Sequence, residues 1–256
     1  MIQLKSQREI EVMARGGAIL GAAHAMLRTH VRPGVTTAEL DRLAEEFIRS
    51  HDGATPAFKG LYGFPGSLCV SVNEEIVHGI PSRKRVLNEG DIISLDLGVK
   101  LDGYFTDAAI TVPVGEVDDE TRRLLDVTER SLMAGIAAAV VGNHIGDIGF
   151  AIQQVIAPEG FGIVRDLVGH GVGAGPHEEP QVPNFGKPRR GLKLAAGLTL
   201  AIEPMVNAGT EKTRTLSDKW TVVTADGKRS AHFEHTIAVT DAGPRILTPA
   251  PAAAAA

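Results

Sequence analysis

The sequence predicts an α+β protein built from two similar halves. Three observations carry that prediction. Four stretches place apolar residues at steps of three and four, the pattern of helices with one buried face. Other stretches alternate apolar and polar residues, the pattern of strands. Some features also come round twice. His78-Gly79-Ile80 precedes an acid-bearing strand at 92–97, and His170-Gly171-Val172 precedes another at 198–203. The two gaps differ in length, so spacing alone leaves a duplication open.

The elements follow in order. Ser6 and Glu9 have the spacing of a capping box, and Ile10, Met13, Gly17, Leu20, His24 and Leu27 then mark the buried face of a first helix. Pro33-Gly34 stops it. Thr36 and Glu39 repeat the capping spacing, and Leu40, Leu43, Ala44 and Phe47 predict a second helix ending near Gly53. Helices are expected again over 118–139 and 146–157. Strands are expected at Leu68–Val72, Ile92–Leu97, Tyr104–Val114, Leu198–Glu203, Lys219–Thr224 and Phe233–Thr240. No stretch rich in Pro, Gly or Ser divides the chain. Residues 1–248 therefore read as one domain, and the Ala/Pro tail 249–256 as disordered.

Composition excludes several classes. With 43% apolar and 22% charged residues the chain is an ordinary globular one, not a disordered one. A net charge of −5 and 4% aromatic residues argue against nucleic-acid binding through a basic face or stacked rings. Cys69 is the lone cysteine, so an intrachain disulfide is excluded and a reducing, cytoplasmic location is expected. No apolar run approaches the roughly 20 residues that cross a bilayer, and the start enters a charged amphipathic pattern directly. A monomer is expected, with no membrane partner.

Common catalytic motifs are missing. His177-Glu178-Glu179-Pro180 lacks the second His of H-E-x-x-H, and GHGVGAG (169–175) is neither a P-loop nor G-x-G-x-x-G. What remains is a set of carboxylates in apolar strands: Asp96 in IISLDLG, Asp107 in GYFTDAAIT, Glu203 closing LTLAIE, and Glu234 in HFEHTIAVT. Taken singly, each reads as a strand-end acid facing water. Four such acids, together with His170 in a glycine-rich turn, do not read that way. Buried carboxylates are costly unless paired or bound to a cation. Oxygen donors with one imidazole suit a divalent first-row metal. Two divalent cations would neutralise four carboxylates, whereas one would leave about two negative charges in a low-dielectric pocket. Two such ions about 3.5–4 Å apart can hold and acidify a water, a hydrolytic nucleophile.

The segments NEEIVHGIP (73–81), DIISLDLGVKLDGYFTDAAIT (91–111), GHGVGAGPHEEP (169–180), LTLAIEPMV (198–206) and SAHFEHTIAVT (230–240) resemble type I methionine aminopeptidases. The resemblance runs from about residue 4 to 248. It implies the pita-bread fold, in which two pseudo-symmetric α/β halves surround a dinuclear metal site. It also implies removal of the initiator Met from nascent chains and peptides, preferably before a small second residue, by a metal-bridged water. Carried over residue by residue, the ligands are Asp96, Asp107, His170, Glu203 and Glu234. Asp107 and Glu234 bridge the two ions, Asp96 serves one, and His170 and Glu203 serve the other. The ions are Co, Mn, Fe or Zn. One of them also holds the substrate's free α-amine, which limits cleavage to one residue.

In the same carry-over Glu203 moves the proton, and His78 and His177 contact the substrate peptide. Phe58, Leu61, Phe64, Cys69 and Trp220 occupy the methionine pocket. Leu61 stands where an aromatic is often found, and Pro176 where some bacterial members carry a bulkier residue. Asn73 and Ser230 match a monovalent-cation site. The remaining histidines, 24, 30, 51, 144, 232 and 235, read as structural or surface residues. His235 is expected on the strand face opposite Glu234. The basic runs 82–85 and 187–190 read as solvated loops, with a ribosome contact as the alternative. Rival readings are an X-Pro peptidase, disfavoured because only 77 residues precede His78, and a pita-bread binding module that has lost its ligands.

Overall fold

The structure, a computed structural model, describes residues 2–250. Residues 251–256 of the expected tail lie outside the described residues. Pro249 sits against α1, its carbonyl oxygen occupying the space a Cβ would need at Gly21.

Four helices form where the apolar spacing places them: α1 (Gln7–His30), α2 (Thr37–Arg49), α3 (Asp119–Ala138) and α4 (Ile145–Ile156). Ser6 and Glu9 close a capping box on α1, and all six expected face residues of that helix are buried. Thr36 caps α2 through the Glu39 N–H, and Asp118 caps α3 through the Thr121 N–H. α2 ends at Arg49, four residues before the glycine expected to stop it.

The strands, in chain order, are β1 (Ala54–Pro56), β2 (Leu68–Val72), β3 (Glu75–Val77), β4 (Ile92–Leu101), β5 (Tyr104–Pro113), β6 (Gly162–Ile163), β7 (Gly169–Gly171) and β8 (Glu178–Val182). They continue with β9 (Thr199–Ile202), β10 (Met205–Asn207), β11 (Thr213–Thr215), β12 (Val222–Thr224), β13 (Ser230–His232), β14 (Glu234–Thr240) and β15 (Gly243–Ile246). Two boundaries depart from expectation for clear reasons. β4 runs on past Leu97 through Gly98. The glycine is there because a Cβ would come within 2.7 Å of the Phe58 ring. The strand expected from Lys219 begins only at Val222. The Asp218 carboxylate accepts the backbone N–H groups of Trp220 and Thr221 and holds that stretch as a turn.

The main sheet has the order β1-β4-β5-β14-β9-β7-β8, with β2 on β4 and β15 on β14. Helices cover one face. In the first half, Leu20, Leu27, Leu40 and Ile48 of α1 and α2 pack on Ile93, Leu95 and Leu97. In the second, Leu124, Leu132, Ile148 and Ile152 of α3 and α4 pack on Leu200, Ile202 and Ile237. Strand alternation then turns Asp96, Ala201 and Glu234 to the other face.

The duplication is clearer in space than in spacing. In each half the residue that precedes the second helix forms an isolated bridge to a later loop: Thr36 to Val86 ahead of α2, and His144 to Lys193 ahead of α4. The partners lie at almost the same sequence separation. The two halves join in the sheet along a short seam. β5 and β14 pair through Ala109–Glu234 and Ala108–His235 alone, while β4 and β5 pair along their whole lengths.

Candidate metal centre

Register brings the predicted donors together. Asp96 on β4 lies opposite Ala109 on β5, and Ala109 lies opposite Glu234 on β14. Asp107 stands two residues before Ala109, hence on the same face. On the other side His170 of β7 pairs with Ala201 of β9, and Glu203 follows two residues after Ala201. Four strands, β4, β5, β14 and β7, thus each direct one donor into one place, Glu203 joins them from the residue just after β9, and the alanines between them leave room. Donor atoms of Asp96, Asp107 and Glu234 lie within 4.8 Å of one another, as do those of His170, Glu203 and Glu234. A third cluster joins Asp107 and His170 to His177. Thr236 fixes the Asp107 backbone, accepting its N–H at 2.9 Å and donating to its carbonyl at 2.8 Å.

The electrostatics call for a cation. Asp96, Asp107 and Glu234 are 9%, 6% and 2% exposed, and each has a buried carboxylate oxygen without a hydrogen-bond partner. Burial pushes Asp96 and Glu203 up to about 7. Burial and the neighbouring carboxylates hold Asp107 and Glu234 well above the usual range. Burial also lowers His170, keeping its imidazole neutral and able to ligate. Orphaned carboxylate oxygens around a neutral imidazole fit divalent first-row cations.

These residues line a cavity of ≈ 280 Å³. Its other wall holds all five residues expected in the methionine pocket, where Phe58, Phe64 and Cys69 are buried and Leu61 and Trp220 pack against them. Burial and the nearby carboxylates raise the Cys69 thiol, leaving it an inert apolar group. His78 and His177 also line the cavity. His78 has φ +60° and meets Trp220 edge-on at 6.4 Å. Asn73 and Ser230 come together away from it, the Asn73 carbonyl accepting the Ser230 N–H at 2.8 Å.

Sequence reasoning missed two site residues. Tyr62, 74% exposed with φ +52°, stacks on His177 at 5.9 Å, and His177 in turn meets His170 at 4.5 Å. His232, read as structural or surface, has Nε2 3.6 Å from Glu203 Oε2. His232 closes β13, and the break at Phe233 separates it from Glu234 at the start of β14. His235 does take the opposite face, where its Nδ1 meets Thr248 Oγ1 at 3.0 Å.

Among the described residues no helix is long and apolar enough to cross a membrane. Residues 11–241 match the model of metallopeptidase family M24. A methionine aminopeptidase of Clostridium perfringens is 55% identical over 97% of this chain and 99% of its own length. Methionine aminopeptidase 1 of Bacillus subtilis is 53% identical over the same shares. The crystal structure of methionine aminopeptidase from Rickettsia prowazekii superposes with a TM-score of 0.95 at 40% identity, covering 97% of this chain and 100% of that one.

Proposed function

The chain belongs to metallopeptidase family M24, with the pita-bread fold and metal-dependent aminopeptidase activity toward N-terminal methionine, and on that premise we propose that the five-donor cluster is its catalytic centre. One observation supports this above all. Four donors on strands of one sheet and a fifth at the end of β9 meet at a cavity whose far wall is apolar. Asp96, Asp107, His170, Glu203 and Glu234 would hold two divalent ions, Co, Mn, Fe or Zn, with Asp107 and Glu234 serving both. Bound there, the ions supply Lewis acidity and lower the pKa of water toward neutrality.

The remaining work falls to side chains. The carboxylates attract the substrate's α-ammonium, while Phe58, Leu61, Phe64, Cys69 and Trp220 take up the methionine side chain. Glu203 lines the cavity beside His170 and is placed there for proton transfer. One of its carboxylate oxygens takes a proton from the attacking water and delivers it to the amine nitrogen as the C–N bond breaks. His177 is held neutral by burial and donates an N–H to the carbonyl oxygen, where negative charge develops. His78 contacts the peptide backbone beside the scissile bond. Asn73 and Ser230 would take a monovalent cation.

A single domain over 1–248 would carry this chemistry. Its substrates would be nascent chains that start with Met before a small residue, met in the cytoplasm near the ribosome. Hydrolysis of Met-Ala-Ser and Ala-Pro-Ser, after chelation and after return of each metal, tests the reading. The expected result is cleavage of the first peptide only, lost on chelation and restored by metal. Cleavage of Ala-Pro-Ser, or activity that survives chelation, overturns it.

A further inference from the structure

We propose that His232 is a positioning residue for Glu203, holding that carboxylate in the orientation its proton transfer requires. The inference rests on the reading of Glu203 given above.

Glu203 lies between two imidazoles. His170 Nε2 is 3.5 Å from Oε1, and His232 Nε2 is 3.6 Å from Oε2. His170 belongs to the donor clusters and lines the cavity. His232 does neither. It is buried off the cavity wall, within electrostatic reach of Asp96, and its Nε2 approaches Glu203 Oε2, so its shortest route to the reacting atoms runs through that carboxylate.

The ring cannot be accounted for as packing. His232 is 1% exposed, and neither Nδ1 nor Nε2 has a hydrogen-bond partner. A buried imidazole without partners is destabilising, and an apolar side chain of similar volume would avoid that cost. Its backbone is fixed from both sides. The His232 N–H donates to Thr111 Oγ1 at 2.8 Å, and its carbonyl accepts from the same hydroxyl at 2.7 Å. Thr111 is in turn tied to Ser94 on β4 at 2.8 Å. Glu203 is pinned separately, its carbonyl accepting from Asn184 Nδ2 at 3.0 Å. Two fixed backbones thus aim an Nε2 and an Oε2 at each other.

At 3.6 Å the two atoms stand a few tenths of an ångström beyond hydrogen-bond reach. Hydrogen bonds of this kind commonly tighten when a site is filled. With the proton on Nε2, His232 donates to Oε2 and leaves Oε1 on the side of His170. The carboxylate then cannot exchange its two oxygens by rotating, and the same oxygen faces the reacting atoms throughout.

The test compares His232→Gln, which keeps an N–H near the Nε2 position, with His232→Leu, which keeps volume alone. The readouts are kcat and KM on Met-Ala-Ser and the visible absorption of the Co(II)-loaded protein. The Leu variant is expected to lose about tenfold or more in kcat, to keep KM within about twofold, and to shift the Co(II) bands. The Gln variant is expected to recover most of kcat and the original bands. Equal losses in the two variants, or a Leu variant with unchanged kcat and spectrum, overturn the proposal. If the Leu variant does not fold, His232→Asn replaces it. Asn places its N–H near Nδ1, so activity equal to that of the Gln variant overturns the proposal. Wild-type protein that fails to cleave Met-Ala-Ser would overturn the aminopeptidase reading instead, and the Co(II) spectra would still decide the role of His232.

Discussion

Asp107 is, with Glu234, one of the two carboxylates the centre can least spare. It takes part in two of the three donor clusters, and its backbone is clamped across the sheet by Thr236. Asp107→Asn keeps the shape but removes the charge. Affinity for Mn or Co, measured by calorimetry, should fall at least about tenfold, and turnover of Met-Ala-Ser about a hundredfold or more. Near-full turnover with metal would remove the two-ion reading. Glu203→Ala should likewise cost about a hundredfold in kcat. His24→Ala should leave kcat within about twofold, since His24 packs on the helix-covered face of the sheet away from the cavity. Equal losses would mean that the site has been misassigned. The acids were legible in the sequence because a carboxylate inside an apolar strand is costly and needs a reason. His232 was not, because strand alternation is interrupted at Phe233, between β13 and β14. Tyr62 was not either, because its place depends on a left-handed turn that brings one half against the other.

At the scale of elements, α1 carries two adjacent glycines with opposite demands. In a helix interior Gly→Ala usually gains about 1 kcal/mol. A Cβ at Gly16 would meet Leu101 Cβ at 3.4 Å, an ordinary contact. A Cβ at Gly17 would lie 1.9 Å from the Leu247 carbonyl oxygen, which is backbone and cannot swing aside. Gly16→Ala should therefore keep or raise the thermal midpoint. Gly17→Ala should lower it, by an amount equivalent to about 2 kcal/mol or more. Melting curves of the two variants decide this, and a Gly17→Ala variant as stable as wild type would show that α1 is free to move off the C-terminal segment. The helices themselves were legible to within a few residues, because capping residues and apolar steps act locally. The reach of β4 past Gly98 was not, since the Phe58 ring that requires a glycine there is forty residues away in sequence.

For the molecule as a whole, the buried carboxylates set how stability depends on pH without metal. From about pH 7 upward an ordinary imidazole in the unfolded chain is mostly neutral, and burial lowers His24, His78, His170, His177, His232 and His235 in the folded protein. The unfolded chain has by then lost its carboxylic protons, which leave near pH 4. The folded protein still holds protons on Asp96 and Glu203 up to about pH 7, and burial with the neighbouring carboxylates holds Asp107 and Glu234 well above the usual carboxylate range as well. The folded state thus binds more protons than the unfolded one, and stability falls as pH rises. In chelator the thermal midpoint should drop between pH 7 and pH 8, and Mn should reverse most of that drop. A midpoint that climbs over this interval in chelator would overturn the account. The two-half plan was only partly legible, because the paired bridges of Thr36 and His144 join residues whose types do not repeat.

The short seam between β5 and β14 has a mechanical consequence. Two residue pairs hold the main sheet together where its halves meet, and one of those pairs contains Glu234. The cluster that holds both first-half donors, Asp96 and Asp107, is completed by Glu234 from the second half. An ion bound there would be a rivet through a short joint of the sheet, placed where the two plates meet. Supply of divalent metal would then govern how firmly the protein is assembled as well as how fast it works.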